Sequence, residues 1–196
     1  MKKVMSLVMV LVCFAAMAGC GTDKQTGGEV KYKPGTFTKE DFALINTEKN
    51  VTFTLGMTKE EVESVLGKEV EVVNRLYGYS DGLTIYYREG RVAAIGIYDL
   101  DKEQFTLPYK TYRGITLGST ANDVEKLYGD LDNGIGTAFF WNAENHRSYT
   151  GKLTSQKPEG DLSKIFFIEM GSMKDVFEEG VTRIWISDGE NYWNHK

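Results

Sequence analysis

The sequence predicts an α+β protein made of two tandem repeats, each a short helix packed on an antiparallel sheet. Three observations lead to this fold class. Residues 55–67 match residues 117–129 at a constant offset of 62, without a gap. In both copies a Thr and an acidic residue open a stretch with helical apolar spacing, which ends at a glycine. Segments that alternate apolar and polar residues surround these stretches and indicate strands.

The chain begins with the features of an export signal. Lys2 and Lys3 precede an apolar run at residues 4–17 that carries no charge. This run is shorter than the ~20 residues that a membrane-spanning helix needs. It therefore predicts a signal peptide over residues 1–19.

Residues 17–20 read Met-Ala-Gly-Cys and resemble the lipobox of bacterial lipoproteins. The resemblance implies cleavage before Cys20, acylation of its sulfur and attachment to the cell membrane, facing outside the cytoplasm. Two or three acyl chains hold a protein stably at a membrane. The alternative is ordinary secretion with a free Cys20 thiol. Residues 20–36 are polar and rich in glycine, so we expect the lipidated cysteine and a flexible tether there.

The composition excludes several classes of protein. The full chain has a net charge of −5, and removal of Lys2 and Lys3 leaves about −7 for the mature chain. Nucleic acids are bound by clustered Lys and Arg, so we expect no nucleic-acid partner. The lipobox resemblance implies that Cys13 leaves with the signal peptide and that Cys20 is acylated. No thiol then remains for a disulfide, a zinc site or a nucleophile.

Each repeat is expected to contain a helix of two turns. Thr58 and Thr120 are the expected N-caps, each followed three positions later by an acidic residue that completes a capping box. Gly67 and Gly129 are expected to end the helices in the left-handed conformation. Apolar residues at i, i+3 and i+4 form one stripe on each helix. These residues are Val62, Val65 and Leu66 in the first copy, and Val124, Leu127 and Tyr128 in the second.

Strands are expected on either side of each helix. They are residues 51–55, 83–87 and 92–97 in the first repeat (37–100), and residues 112–117, 165–168 and 181–186 in the second (101–189). The second repeat is longer through insertions around residues 141–160 and 171–180. Insertions at loop tips are where functional divergence usually lies. Residues 190–196 form a C-terminal tail.

Residues 55–67 combine a strand that ends in Leu-Gly-Met-Thr with Glu-Glu-Val and a glycine-terminated helix. This pattern resembles the repeat of β-lactamase-inhibitor-protein-like domains. It is also similar to the small outer-membrane assembly lipoproteins of the SmpA/OmlA type. The resemblance implies short helices on an antiparallel sheet, and binding of a protein partner rather than catalysis. Because the shared residues are structural, no contact residue is carried over to this chain.

Candidate catalytic and metal-binding residues are few. The chain has two histidines, His146 in a polar segment and His195 near the end, and neither has a second His or Cys at ligand spacing. Residues 99–103 and 130–134 space acidic residues as calcium loops do, but both lack the Glu at the twelfth position. Turn formation is sufficient to explain both segments. We therefore predict no catalytic residue, no metal and no cofactor.

Aromatic residues form the candidate binding surface. Trp141, Tyr192 and Trp193 lie in or near segments without an evident strand partner. Tyr and Trp dominate binding hot spots, although aromatic residues in a small domain are more often part of the core. We expect a lipid-anchored domain outside the cytoplasm that binds a protein as a scaffold or an inhibitor. The alternative is a cell-envelope hydrolase or a sugar-binding accessory protein.

Overall fold

The computed structural model describes residues 32–98, 107–131, 137–152, 160–171 and 180–194. In these residues the chain is mixed α+β with mostly antiparallel sheets and few helices, which confirms the predicted class. The predicted signal peptide, Cys20, His195 and the acidic segment 99–103 lie outside the described residues. None of the described helices is long and apolar enough to cross a membrane.

The strands, in chain order, are β1 (Ala43–Asn46), β2 (Val51–Thr54), β3 (Glu71–Val73), β4 (Leu76–Gly78), β5 (Thr84–Arg88), β6 (Arg91–Tyr98), β7 (Tyr109–Thr111), β8 (Thr137–Asn142), β9 (Arg147–Lys152), β10 (Ile165–Gly171) and β11 (Arg183–Asp188). The α-helices are α1 (Lys59–Leu66), α2 (Ala121–Tyr128) and α3 (Gly189–Asn194). Short 3₁₀ helices, Lys39–Asp41 and Leu162–Lys164, precede β1 and β10. The strands expected after both helices at 83–87, 92–97, 165–168 and 181–186 are confirmed, as is the strand before α1.

These strands form two sheets. β1 lies between β2 and β7 in a three-stranded sheet, and the others form one antiparallel sheet in the order β3-β4-β5-β6-β11-β10-β8-β9. The two central strands, β6 and β11, pair from Tyr98 with Arg183 to Ala94 with Ser187. Each sheet contains strands from both residues 37–100 and residues 101–189. Neither range therefore forms a sheet of its own.

One face of the eight-stranded sheet carries the hydrophobic core. Five consecutive cross-strand partners on this face are fully buried, and they are Ile85, Ile95, Ile186, Ile168 and Phe139. They share one core cluster with side chains from α1, α2 and the three-stranded sheet. Burial of one such side chain is worth about 1.5–3 kcal/mol, so α1 and α2 pack on this face. The opposite face, which we call the outer face, carries the alternate residues of each strand.

Both predicted helix starts are confirmed. The Thr58 hydroxyl accepts a hydrogen bond from the Glu61 backbone N–H (3.1 Å), and the Glu61 carboxylate accepts one from the Thr58 N–H (2.8 Å). Thr120 and Asp123 make the same pair of bonds at α2, at 3.2 and 2.9 Å. Each capping box satisfies two N–H groups, one of them in the first turn, where the helix itself offers no acceptor.

The glycines at the helix ends differ from the prediction. Gly67 has φ 78° and ψ −166°, and Gly129 has φ 112° and ψ −176°. Their φ is positive as expected, but ψ is extended, so the chain leaves each helix directly into an extended segment. The left-handed helical conformation of the usual C-cap is not used. Val62 and Val124 in the predicted stripes are fully buried, and this packing stabilises helices that are too short to form alone.

Thr58→Ala and Thr120→Ala are each expected to lower the free energy of unfolding by about 1 kcal/mol, because each removes a cap acceptor. Urea unfolding at pH 7 measures both losses. Ser64→Ala, on the exposed side of α1, is the control and should change stability by less than about 0.5 kcal/mol. Losses equal to that of the control would show that the caps do not stabilise the helices.

Acid should weaken the cap of α2. Hydrogen bonds from the Thr120 hydroxyl and backbone N–H hold the pKa of Asp123 below its ordinary value. Because the folded-state pKa is the lower one, this contribution is present above about pH 4 and is lost as the pH falls through the folded-state value. The stability difference between the wild type and Thr120→Ala should therefore shrink in acid. An unchanged difference would contradict this assignment.

Residues 112–117 do not form the predicted strand. The strand is β7, three residues earlier, and the chain then turns: the Gly114 N–H donates to the Thr111 carbonyl (2.9 Å), and the Thr111 N–H donates to the Ile115 carbonyl (2.8 Å). Gly114 has φ 98°, which residues with a Cβ rarely adopt. The alternation of apolar and polar residues in this segment arises from the tight turn and not from a strand. The turn directs the Arg113 side chain into the interior.

Residues 141–160, expected to be an insertion, contain part of a hairpin. β8 pairs with β9 on one side and with β10 on the other. The prediction that Trp141 lies in a segment without a strand partner is wrong, because it is opposite Ser148 on β9 and Phe166 on β10. β8 is covered on both faces, so its residues are apolar in succession and show no alternation.

The N-terminal end of the described chain is held by a buried charge. Nε and Nη2 of Arg113 donate to the Asp41 carboxylate at 2.7 and 2.9 Å, and both side chains are 3% exposed. The remaining N–H groups donate to the backbone carbonyls of Lys33, Thr36 and Leu127. We call these groups the Arg113 cluster, and it uses all five guanidinium donors. Residues 32–36, predicted as the end of the tether, are therefore part of the folded domain.

Candidate binding surface

The outer face of the eight-stranded sheet is the candidate site. Its cross-strand partners form two adjacent rows. The first row is Gly78, Thr84, Gly96, Trp185, Glu169 and Ala138, and the second is Leu76, Tyr86, Ala94, Ser187, Phe167, Phe140 and Tyr149. Tyr98 and Arg183 form the next pair beyond the first row. Small residues thus occupy the middle of the face, and aromatic rings surround them.

The Trp185 indole lies across the backbone of Gly96, its partner on β6. A Cβ at position 96 would overlap the indole Cε3 and would stand 2.7 Å from Cζ3 and 3.0 Å from the Ile184 carbonyl oxygen. Glycine inside a strand often marks such a close approach. The indole is half-buried by the contact, so part of the ring remains accessible.

Two tyrosines border the small residues beside Trp185. The Tyr98 hydroxyl accepts a hydrogen bond of 3.4 Å from Thr84, which is buried. Tyr86 is opposite Ala94, whose methyl group points to the outer face and is nevertheless fully buried. The larger side chains that surround these small residues therefore form a thin layer over the outer face of the sheet.

α3 covers the β8 and β10 side of the outer face. The Tyr192 ring contacts Phe167 edge to face with 4.3 Å between centroids, and the Trp193 ring stacks on Phe140 at 5.9 Å. Phe167 is completely buried by this cover, although it does not belong to the main core. Burial raises the pKa of Tyr192. Both α3 rings stay half-buried and extend the aromatic layer.

Two groups of charges accompany these rings. Glu169 is buried and pairs with Arg183, whose pKa is lowered by burial. Arg88 donates to both carboxylate oxygens of Asp188, at 3.1 and 2.6 Å, and also lies 3.1 Å from Glu190. The bonds to Asp188 raise the pKa of Arg88. The outer face thus combines aromatic rings with fixed charges of both signs.

Two of the three aromatic residues chosen from the sequence lie at this surface. Tyr192 and Trp193 are on α3, as described above. Trp141 is only 8% exposed and faces the core, where its ring packs against Phe42 and Phe166. Trp141 is therefore poorly placed to contact a partner, and the binding role of Tyr192 and Trp193 stays a prediction.

Sequence reasoning missed six aromatic residues of the outer face, which are Tyr86, Tyr98, Phe140, Tyr149, Phe167 and Trp185. The sequence signal that could have identified Trp185 is the alternation of core-facing and outward-facing residues along β11. Ile184 and Ile186 point to the core, while Arg183 and Trp185 point to the outer face. The pattern separates two faces, but the order of the strands is needed to bring these aromatic residues together.

Other candidate groups do not gather into a site. His146 is exposed in the turn between β8 and β9. Within the described ranges, no group of three or more His, Cys, Asp or Glu could hold a metal ion. A depression of ≈ 240 Å³ lies between the first 3₁₀ helix and β10 and is lined by Lys39, Glu40, Phe42, Thr54, Leu55 and Phe166. It is smaller than the roughly 300–1,000 Å³ of typical ligand pockets.

Comparisons with protein-family models, with curated proteins and with solved structures find no match to this chain. The resemblance to β-lactamase-inhibitor-protein-like and SmpA/OmlA-type domains therefore stays a prediction.

Proposed function

We propose that this chain is a lipid-anchored protein of the cell membrane that binds a protein partner outside the cytoplasm through its outer face. The observation that carries the proposal is a layer of aromatic side chains on that face. They are Tyr86, Tyr98, Phe140, Tyr149, Trp185, Tyr192 and Trp193. A scaffold or an inhibitor acts by binding alone, so the proposed role requires no catalytic group.

The composition of the outer face favours a protein partner. Tyr and Trp offer a large contact area with few rotatable bonds, and they are enriched in binding hot spots. Tyr149 is 47% exposed and the other rings are half-buried, so they are held in place and yet partly accessible. The Arg88 and Arg183 ion pairs add polar groups of the kind found at interface rims.

The lipid anchor would keep the outer face close to the membrane. Residues 21–31 separate Cys20 from Tyr32, where the described domain begins. A chain of that length reaches at most about 40 Å. The partner is therefore expected in the membrane or in the layer next to it.

We further infer that residues 37–100 and 101–189 are diverged copies of one unit. α1 and α2 have equal lengths, the same capping box and a glycine at the end. Outward from β6 and β11, each range contributes one more strand, β5 or β10, and then a hairpin, β3–β4 or β8–β9. The outer hairpins attach differently, because β4 is the second strand of its hairpin and β8 is the first. Similar losses of unfolding free energy from Thr58→Ala and Thr120→Ala would support the equivalence of α1 and α2. A loss from only one of the two variants would contradict this equivalence.

Photo-crosslinking in intact cells tests the binding face. We place p-benzoylphenylalanine at Tyr86 or at Tyr149 to probe the outer face. The same probe at Tyr112, which is 42% exposed and lies outside that face, is the matched control. We expect one protein to be captured from the outer-face positions and none from Tyr112. A Cys20→Ala form should leave the membrane fraction and capture less of the same protein.

Several outcomes would count against the proposal. Equal capture from all three positions would contradict a specific outer face, and equal capture by the Cys20→Ala form would contradict the role of the anchor. If no protein is captured and an envelope glycan changes the tryptophan fluorescence, the sugar-binding alternative is favoured. In that case the accessible part of the Trp185 indole supplies the surface on which a sugar ring would stack.

A further inference from the structure

The β3 edge of the eight-stranded sheet is open to another strand. β3 pairs with β4 on one side and has no described strand on the other, so backbone groups on that side lack a sheet partner. Proteins usually protect such edges with Lys, Pro, a bulge or a covering element. β3 reads Glu-Val-Val, its register with β4 is regular, and all three residues are exposed.

Apolar side chains are concentrated at this edge. Val70, Val72 and Val73 are 65%, 52% and 56% exposed. In the part of the chain that the structure describes, the other exposed large apolar residues are Tyr112 and Tyr149, at 42% and 47%, and both are less exposed than these valines. A strand added beside β3 would cover the valines and supply partners for the free backbone groups.

The two ends of β3 carry opposite charges. Glu71 begins the strand, and Arg75 follows it in a tight turn where Asn74 and Arg75 have φ 50° and 67°. Both charged side chains are exposed, and neither makes an ion pair with a described residue. By contrast, Lys59 near this edge is paired with Glu69. Glu71 and Arg75 are therefore available to a partner.

We propose that β3 pairs antiparallel with β3 of a second copy of this chain, about a two-fold axis near Val72 and Val73. Residues directly opposite in an antiparallel pair are about 4.5–5.5 Å apart, and diagonal neighbours are about 7–8 Å apart. Antiparallel pairing about this axis brings Glu71 of each copy beside Arg75 of the other. It also places the valines of the two copies next to each other, where they exclude water.

The distribution of charge identifies a second copy as the occupant. A two-fold interface requires a surface that is complementary to itself. The order of acid, two valines, Asn and base along residues 71–75 has this property when two copies run antiparallel. An edge built for an unrelated basic or acidic strand would need charges of a single sign. The inference does not depend on what the outer face binds.

Cysteine crosslinking in isolated membranes tests this pairing with the full chain. Val72→Cys places a thiol near the proposed axis, and Thr150→Cys, an exposed position on the opposite edge strand β9, is the matched control. After oxidation, we expect at least about threefold more homodimer from Val72→Cys than from the control. In the Val72→Cys background, Glu71→Arg or Arg75→Glu should each reduce the dimer by about threefold or more, because like charges then meet. The two changes together should restore it to within about twofold.

Recovery in the double variant would support the two-fold pairing, because only two copies of the same segment exchange both charges. A Val72→Cys dimer no more abundant than the control would overturn it. So would failure of the double variant to recover, a crosslink to a different protein, or preferential crosslinking of Val72→Cys to Thr150→Cys. Thermal unfolding of each purified variant checks that the fold is intact.

Discussion

Replacing Asp41 with Ala is expected to lower the free energy of unfolding by about 3–5 kcal/mol, because it leaves a buried guanidinium without its carboxylate. The Arg113 side chain is 3% exposed and cannot turn to water without opening the fold. The rings of Tyr32, Phe37 and Tyr128 lie 4.8–5.1 Å from its central carbon and cannot replace a full negative charge. Urea unfolding of the wild type and Asp41→Ala measures the loss.

Two further variants distinguish the effect of leaving a buried charge unpaired from the effect of losing ordinary contacts. Lys59→Met breaks two partly exposed ion pairs, with Glu63 and Glu69, so it should cost no more than about 1 kcal/mol. Asp41→Ala combined with Arg113→Met removes both charges and should cost less than Asp41→Ala alone. If Asp41→Ala costs no more than Lys59→Met, pairing of the buried Arg113 charge does not stabilise the fold.

Gly96→Ala is expected to destabilise the protein by about 1–3 kcal/mol, although Ala is normally the better residue in a strand. The backbone of Gly96 is ordinary strand, so the cost arises from the overlap of the new methyl group with the Trp185 indole. Gly78→Ala is the matched control in the same row of the sheet. There the new methyl group would meet the flexible Glu71 side chain, which can move, so we expect little change.

Most of the loss from Gly96→Ala should disappear when the indole is removed. In a Trp185→Ala background, Gly96→Ala should cost less than about 1 kcal/mol, because the indole overlap is gone and only the 3.0 Å approach to the Ile184 carbonyl oxygen remains, which the reduced freedom of the unfolded chain partly offsets. Urea unfolding of the four chains in this cycle measures the coupling. Equal losses in both backgrounds would mean that Trp185 does not impose glycine at position 96.

The helices were predictable because their signals are local. Thr58 and Thr120 contact acidic residues three positions later, so each cap can be read within a few residues of the chain. The hairpin of β5 and β6 is likewise local: Glu89 and Gly90 both have positive φ, as the tight two-residue turn requires. In both cases the energy that fixes the conformation comes from neighbours in sequence.

The Arg113 cluster could not be predicted in this way. Arg113 and Asp41 are 72 residues apart, and nothing in the composition of either segment indicates the other. The same reason explains the wrong strand at residues 112–117, where the buried ion pair and the turn at Gly114 override the alternation. The composition of residues 32–36 indicates a polar linker. In the structure, however, backbone carbonyls of this segment accept hydrogen bonds from the Arg113 guanidinium.

The candidate surface was predictable only in part. Tyr192 and Trp193 stand out as a pair of large aromatic residues near the C-terminus, and both lie on the outer face. In the sequence, Trp141 is an equally good candidate for a surface aromatic residue, but the pairing of β8 with β9 and β10 turns it toward the core. Trp185 and Tyr86 are not adjacent in sequence, and the order of β5, β6 and β11 alone brings them onto one surface.

The position of β11 has a consequence for when this protein can fold. β11 is the last strand of the described chain, and it lies between β6 and β10 in the middle of the large sheet. Its partners on β6 precede it by more than eighty residues, so the central pairing is of the long-range kind that forms slowly. A growing chain therefore cannot complete the sheet until the last strand has been synthesised. If the proposed export signal directs this chain across a membrane, the sheet would stay incomplete until β11 has arrived on the far side.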